Sequence, residues 1–157
     1  MLWQGEERRK SHADESLMRL RVLTEQLNQR DASLWASLDK FKMIADKCPV
    51  GIWYCSTEGV AQYVNETWAN WAGLTKDECL GFGWLEGLAF EDRERISSIW
   101  LEAVRTSKPY KAYYHMVNKH TGSQKKCFSL GNKVDDTCWV GFTIDLDLIG
   151  NTFYGSL

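Results

Sequence analysis

The spacing of apolar positions changes character along this chain, and each change marks an element. From residue 5 to about 42 the period is close to three and a half. Ala13, Leu20, Leu27, Leu34 and Phe41 recur every seven residues, and Leu17, Leu23 and Leu38 fall between them. Neither Pro nor Gly occurs after Gly5 in this stretch. Such a seam predicts one long helix that packs against another helix. Arg30 and Ser37 interrupt the seam. One amphipathic helix lying on its own domain is the alternative. The length and the charged remaining faces favour a dimerising helix, with Leu20, Leu23, Leu27, Leu34, Leu38 and Phe41 at the contact. Pro49 closes this region, because a residue before Pro avoids helical geometry.

The period then shortens to two. Ile52–Cys55 and Val60–Val64 read as strands joined by the polar turn Ser56-Thr57-Glu58-Gly59. Asn65 stands where a helix N-cap would stand, with Trp68 and Trp71 at helical spacing behind it. Gly73 stops that helix. Thr75 with Glu78 forms a capping box that starts another helix, and Gly81 and Gly83 keep that helix short. Over Glu91–Thr106, Ile96, Ile99, Trp100, Ala103 and Val104 form a single apolar face. Three strands come next at Tyr110–Asn118, Lys126–Val134 and Trp139–Leu146, with short turns between them, an antiparallel meander. Two strands before the helices and three after predict an α+β domain: one five-stranded antiparallel sheet with helices on one face.

Composition narrows the function. A chain of 157 residues is one domain plus an appendage, read as a helix at 1–42, a domain at 43–148 and a tail at 149–157. Eight Trp, six Tyr and six Phe make the expected core aromatic. The net charge of −2 argues against a nucleic-acid or membrane-surface partner. Residues 1–40 carry seven basic and seven acidic side chains, so the appendage is neutral too. No apolar run approaches the roughly 20 residues of a membrane span, and the N-terminus lacks an apolar signal region. Five cysteines without a regular framework suggest reduced thiols and a cytoplasmic location. No nucleophile–base arrangement or phosphate loop points to catalysis. Cys127 and Cys138 are considered as a redox pair across the last hairpin, but no metal-ligand set accompanies them.

The order of elements, together with Pro49-Val50-Gly51-Ile52-Trp53, Glu58-Gly59, Tyr63-Val64-Asn65, Gly73-Leu74-Thr75 and Glu91-Asp92-Arg93, resembles a PAS domain. Thr121-Gly122-Ser123 and Gly141-Phe142 before Asp145 extend the resemblance, which covers roughly Phe41 to Leu148. It implies a sensory or interaction module preceded by a signalling helix, a homodimer, and a signalling partner or effector domain outside this chain. PAS domains bind flavin, haem, small acids or nothing. Trp84 stands where the light-sensing (LOV) subfamily carries its reactive cysteine, so a flavin is left open but not of that type. Haem is disfavoured, because residues 84–106 hold no His and His115 alternates with Tyr114 and Met116. The residues expected to line an interior pocket are Tyr54, Tyr63, Trp68, Trp71, Trp84, Ile96, Trp100, Tyr114, Met116, Phe128 and Phe142, with Ile52 beside them. Such crowding of rings favours a small or filled cavity. Tyr113, Val117, Trp139 and Thr143 are expected on the opposite face of the sheet, with the long helix near Leu34, Trp35, Leu38 and Phe41, from the same chain or a partner, as cover.

Overall fold

The computed structural model describes residues 2–149, with side chains described from Gln4 to Ile149. The tail expected at 149–157 therefore lies outside the described residues, Ile149 excepted. Helix α1 (Leu2–Lys47) leads to strands β1 (Gly51–Ser56) and β2 (Ala61–Val64), then helix α2 (Glu66–Ala72). Two 3-10 turns, Asp77–Cys79 and Gly83–Gly87, precede helix α3 (Phe90–Thr106). Strands β3 (Tyr110–Val117), β4 (Gln124–Val134) and β5 (Cys138–Asp145) complete the order. Two compact units result, Met1–Lys42 and Met43–Leu157.

In the first unit, α1 presents its apolar seam to solvent. Leu20, Leu23, Leu27, Leu34, Leu38 and Phe41 are all exposed. The second unit holds the antiparallel sheet, in the order β2-β1-β5-β4-β3. The last strand is thus central, and β1 pairs with it from Gly51↔Thr143 to Ser56↔Cys138.

Local chemistry sets the boundaries of the elements. The Asn65 side chain accepts from the Trp68 amide and starts α2. Gly73, at φ 66°, ends it in the left-handed region that suits glycine. The Thr75 hydroxyl accepts from the Glu78 amide, and the Glu78 carboxylate accepts from the Thr75 amide, so the capping box closes. It supports only a single 3-10 turn before Gly81 and Gly83 intervene. Glu91 and Asp92 open α3, where carboxylates meet the positive helix end. Ile96, Trp100 and Ala103 on α3 are buried.

The inner face of the sheet differs from the expected one in three strands. Tyr110, Ala112, Tyr114 and Met116 on β3 do point inward and are buried. In β1, β4 and β5 the parity is reversed. Ile52, Tyr54, Phe128 and Phe142 face outward, while Trp53, Cys55, Cys127, Ser129, Trp139 and Thr143 face inward and are buried. The cause lies in volume. Trp53 pairs with Gly141, which pairs with Gly131, and a Cβ at either glycine would run into the Trp53 indole. A few very large side chains fill the interior, so their neighbours on the same face must be small or polar. The remaining apolar residues occupy the outer face.

Tyr63 departs for another reason. Trp53 pairs with Val64 and Tyr54 with Tyr63, but Cys55 pairs with Ala61, so Gln62 is an extra residue in a β-bulge. The bulge keeps Ala61 and Val64 on the inner side and places Tyr63 beside Tyr54. Their rings stack at 5.5 Å and 16°. Register also separates the proposed cysteine pair. Cys127 lies opposite Asp145 and Cys138 opposite Val134, at the two ends of the hairpin. Seven strand residues span about 23 Å, far beyond disulfide reach.

Candidate functional site

Between sheet and helices lies a cavity of about 40 Å³. β1 contributes Trp53 and Cys55, and β2 contributes Ala61 and Val64. Trp68 comes from α2, Trp84 from the second 3-10 turn and Trp100 from α3. Tyr110 and Tyr114 of β3 and Ser129 of β4 complete the wall. Every one of these is buried except Trp84, which is half-buried.

Of the residues expected at the pocket, Trp68, Trp84, Trp100 and Tyr114 line the cavity. Ile96 and Met116 are fully buried in the surrounding core, and Trp71 packs against that core. Tyr54, Tyr63, Phe128 and Phe142 belong to the other side of the sheet. Trp53, Cys55, Ala61, Val64, Tyr110 and Ser129 were missed. Tyr110 was legible from its parity with Tyr114. The gaps at Gly131 and Gly141 were a second signal, since they require a large side chain to fill them.

Several polar atoms of the wall are engaged in hydrogen bonds. The Trp53 indole donates to Ser129 Oγ at 3.3 Å, and the Trp100 indole donates to the Gly59 carbonyl at 2.9 Å. Ser129 Oγ lies 3.0 Å from Thr143 Oγ1, which lies 3.3 Å from the Tyr114 hydroxyl. Burial pushes the Cys55 thiol up to about 12 and the Tyr114 hydroxyl up to about 12. It raises Tyr110 further. The cavity is therefore electrically neutral at ordinary pH, and Cys55 is a protonated thiol rather than a nucleophile.

Size and donor set bear on cofactors. A buried water needs roughly 10–15 Å³ of such space, whereas small-molecule sites typically measure about 300–1,000 Å³. The interior has room for about three waters, so neither a flavin ring nor a haem fits it. No His lines it to serve as an axial ligand. His115 instead sits with Nδ1 3.2 Å from Asp92 Oδ2. Among the described residues no group of three or more His, Cys, Asp or Glu is placed to hold a metal ion. Among them too, no helix is long and apolar enough to cross a membrane.

A polar joint adjoins the cavity. Asn65 is fully buried between Val64 and α2. Its Nδ2 donates to the Ala45 carbonyl at 2.7 Å and to the Val50 carbonyl at 2.9 Å, while its Oδ1 accepts from the Ile52 and Trp68 amides. Thr67 donates to the Cys48 carbonyl at 2.6 Å. Asp46 accepts from the Glu66 amide and from Lys76 Nζ at 2.7 Å. Burial works to raise the Asp46 carboxyl, but Lys76 and the Glu66 amide outweigh it and the net displacement is downward. The last turn of α1 is thus fastened to the two elements that carry Val64 and Trp68.

Comparison with known proteins gives a consistent result. The family model described as the PAS fold matches residues 45–130. An uncharacterized protein of Sinorhizobium fredii, y4lL, is 27% identical over 113 residues, or 70% of this chain. The chain spans 14% of that relative's length. The PAS domain of an HTR-like protein from Haloarcula marismortui superposes with a TM-score of 0.58 at 14% identity, covering 75% of this chain and 98% of that one. A domain of a sensory box sensor histidine kinase/response regulator from Geobacter sulfurreducens gives 0.55 at 18% identity, covering 71% and 96%. At such identities the likeness shows the fold alone.

Proposed function

Because the chain belongs to the PAS-fold family, we propose that it is a sensory module with no catalysis of its own, in which occupancy of the aromatic cavity is relayed to a dimerising N-terminal helix. Asn65 is the observation that carries this reading. Val64 and Trp68, both in the cavity wall, stand one and three residues from it. Its amide holds the Ala45 carbonyl in the last turn of α1. A ligand that shifts Trp68 or Val64 loads the bonds that fix that turn. It moves the equilibrium only as far as its affinities for the two helix positions differ.

The cavity limits the ligand to a few heavy atoms. The partner is a second copy of the chain, joined along Leu20, Leu23, Leu27, Leu34, Leu38 and Phe41. The effector belongs to another chain or to sequence beyond these residues, and the module works in the cytoplasm. A near-neutral charge leaves nucleic acid and membrane surfaces out of this reading. Sedimentation velocity tests the helix. The full chain sediments as a dimer, and Leu27→Glu combined with Leu34→Glu gives a monomer, with thermal unfolding of the sheet domain unchanged. A double variant that still sediments as the dimer removes the helix from the proposal.

A second reading, a ligand-free interaction domain, is favoured by the outer face of the sheet. Tyr54, Val140, Phe142 and Tyr113 are 37–63% exposed there, and Tyr54 and Val140 are direct cross-strand neighbours. Native mass spectrometry separates the readings. A small molecule stoichiometric with the chain supports the sensor, and an empty chain in every preparation supports the interaction domain.

A further inference from the structure

The apolar seam of α1 carries a pair of opposite charges between Leu27 and Leu34. These two leucines belong to the row of Ala13, Leu20 and Phe41, and Leu17, Thr24, Asp31 and Leu38 form a second row beside it. Arg30 stands next to Asp31 on the flank of that second row, one heptad after Leu23. Both side chains are exposed, and among the described residues neither makes an ion pair or a hydrogen bond. Their own helix offers them no partner. Side chains on one helix meet at three or four residues' distance, and adjacent ones do not face each other. Around Asp31 those positions hold Leu27, Asn28, Leu34 and Trp35, and around Arg30 they hold Gln26, Leu27, Ser33 and Leu34.

A second copy of the chain supplies both partners at once. In a parallel, in-register pair each row meets its own counterpart, so Asp31 lies against the partner's Asp31. The partner's Arg30 flanks that contact, and two-fold symmetry repeats the pairing, which gives two Arg–Asp pairs in one layer. Arg30 also points toward the partner's Trp35, whose ring face attracts a guanidinium. A slip of one heptad sets Asp31 against the partner's Thr24 or the partner's Leu38, and puts Leu23 or Ser37 where the arginine stood. An antiparallel pair buries each Asp31 against the leucine row, which spoils two apolar layers rather than one. Polar groups within a seam fix register and orientation in this way, at some cost in stability. We propose that Arg30 and Asp31 form an interchain ionic layer that holds two copies of α1 parallel and in register. The proposal rests on reading α1 as a dimerising helix. A parallel pair brings the two Lys47 ends of α1 together, and with them the turns that Asn65 fastens.

Sedimentation of the full chain across a concentration series tests it, with Arg30→Asp, Asp31→Arg and the two combined. Each single substitution makes the layer all of one sign and should weaken self-association at least about tenfold. The combined swap should return it to within about threefold of the unaltered chain, with thermal unfolding of the sheet domain the same in all three. Leu20→Cys should cross-link the dimer under mild oxidation, above the background of the native cysteines, because a parallel pair sets the two positions side by side. Single substitutions that leave the affinity unaltered, or a combined swap no tighter than either, overturn the ionic layer and leave the helical dimer standing. A dimer in which Leu20→Cys does not cross-link overturns the parallel register. An unaltered chain that is monomeric at every concentration overturns the layer and the dimeric reading together.

Discussion

Asn65 concentrates more structural consequence than any other polar residue of the sheet domain. One buried amide caps α2, pairs with the start of β1 and holds the carbonyls of Ala45 and Val50. Its capping role was legible in the sequence, because an Asn before Trp68 and Trp71 has the chemistry and spacing of an N-cap. Its second role was not. Ala45 lies 20 residues away, and only the fold brings that carbonyl within reach. Replacing Asn65 by Ala deletes a cap, takes the Asn65 donor from the half-buried Val50 carbonyl and leaves the Ala45 carbonyl with the Cys48 amide alone. Urea unfolding of Asn65→Ala should show a loss of about 3 kcal/mol. A loss under about 1 kcal/mol would mean that water or a relaxed helix end replaces the amide.

Among the elements, the helices were the easier to read. α3 runs Phe90–Thr106 against an expected Glu91–Thr106, because a single apolar face repeated over four turns leaves little choice. Strand positions were equally clear, but strand faces were not. In β5 the apolar alternates are Val140, Phe142 and Ile144, and hydrophobicity assigns those to the core. The structure gives the core to Trp139, Gly141, Thr143 and Asp145. Gly141 is there because the Trp53 indole occupies the space a side chain would need. Gly141→Ala should therefore destabilise the domain by about 1–3 kcal/mol through overpacking, read from the shift of the thermal midpoint. A neutral outcome would show that Trp53 has another rotamer open to it. The bulge at Gln62 is the element-scale reason Tyr63 escaped the expected parity.

At the scale of the molecule, two partly buried carboxylates, Asp46 and Asp92, are expected to make stability sensitive to acid. Burial opposes ionisation at both Asp46 and Asp92, yet hydrogen bonds from Lys76 and the Glu66 amide at one, and from Arg95 and His115 at the other, bring both carboxyls below their ordinary 3.8. A carboxyl depressed in the folded state contributes its full stability above its unfolded value. That contribution is lost as pH falls through the folded value. The urea midpoint should therefore hold level down to about pH 5 and fall steeply below about pH 4. Asp46→Asn should flatten part of that fall. An unaltered acid limb in Asp46→Asn would place the sensitivity at Asp92 or elsewhere.

By itself the sequence determined the elements, their order and the sheet they form. Those arise from periodicity, caps and turn residues, which act over a few positions and are written locally. It also determined that the interior would be crowded with rings, since so many Trp and Tyr cannot all stay in water. Only the tertiary structure decided which rings face one another. The interior went to Trp53, Trp139 and Tyr110 of the sheet and Trp100 of α3, because volume must close across elements that are far apart in the chain. A pair of glycines on β4 and β5 admits a tryptophan from β1. Packing of that kind is settled by fit between distant residues, and no window of sequence contains both partners.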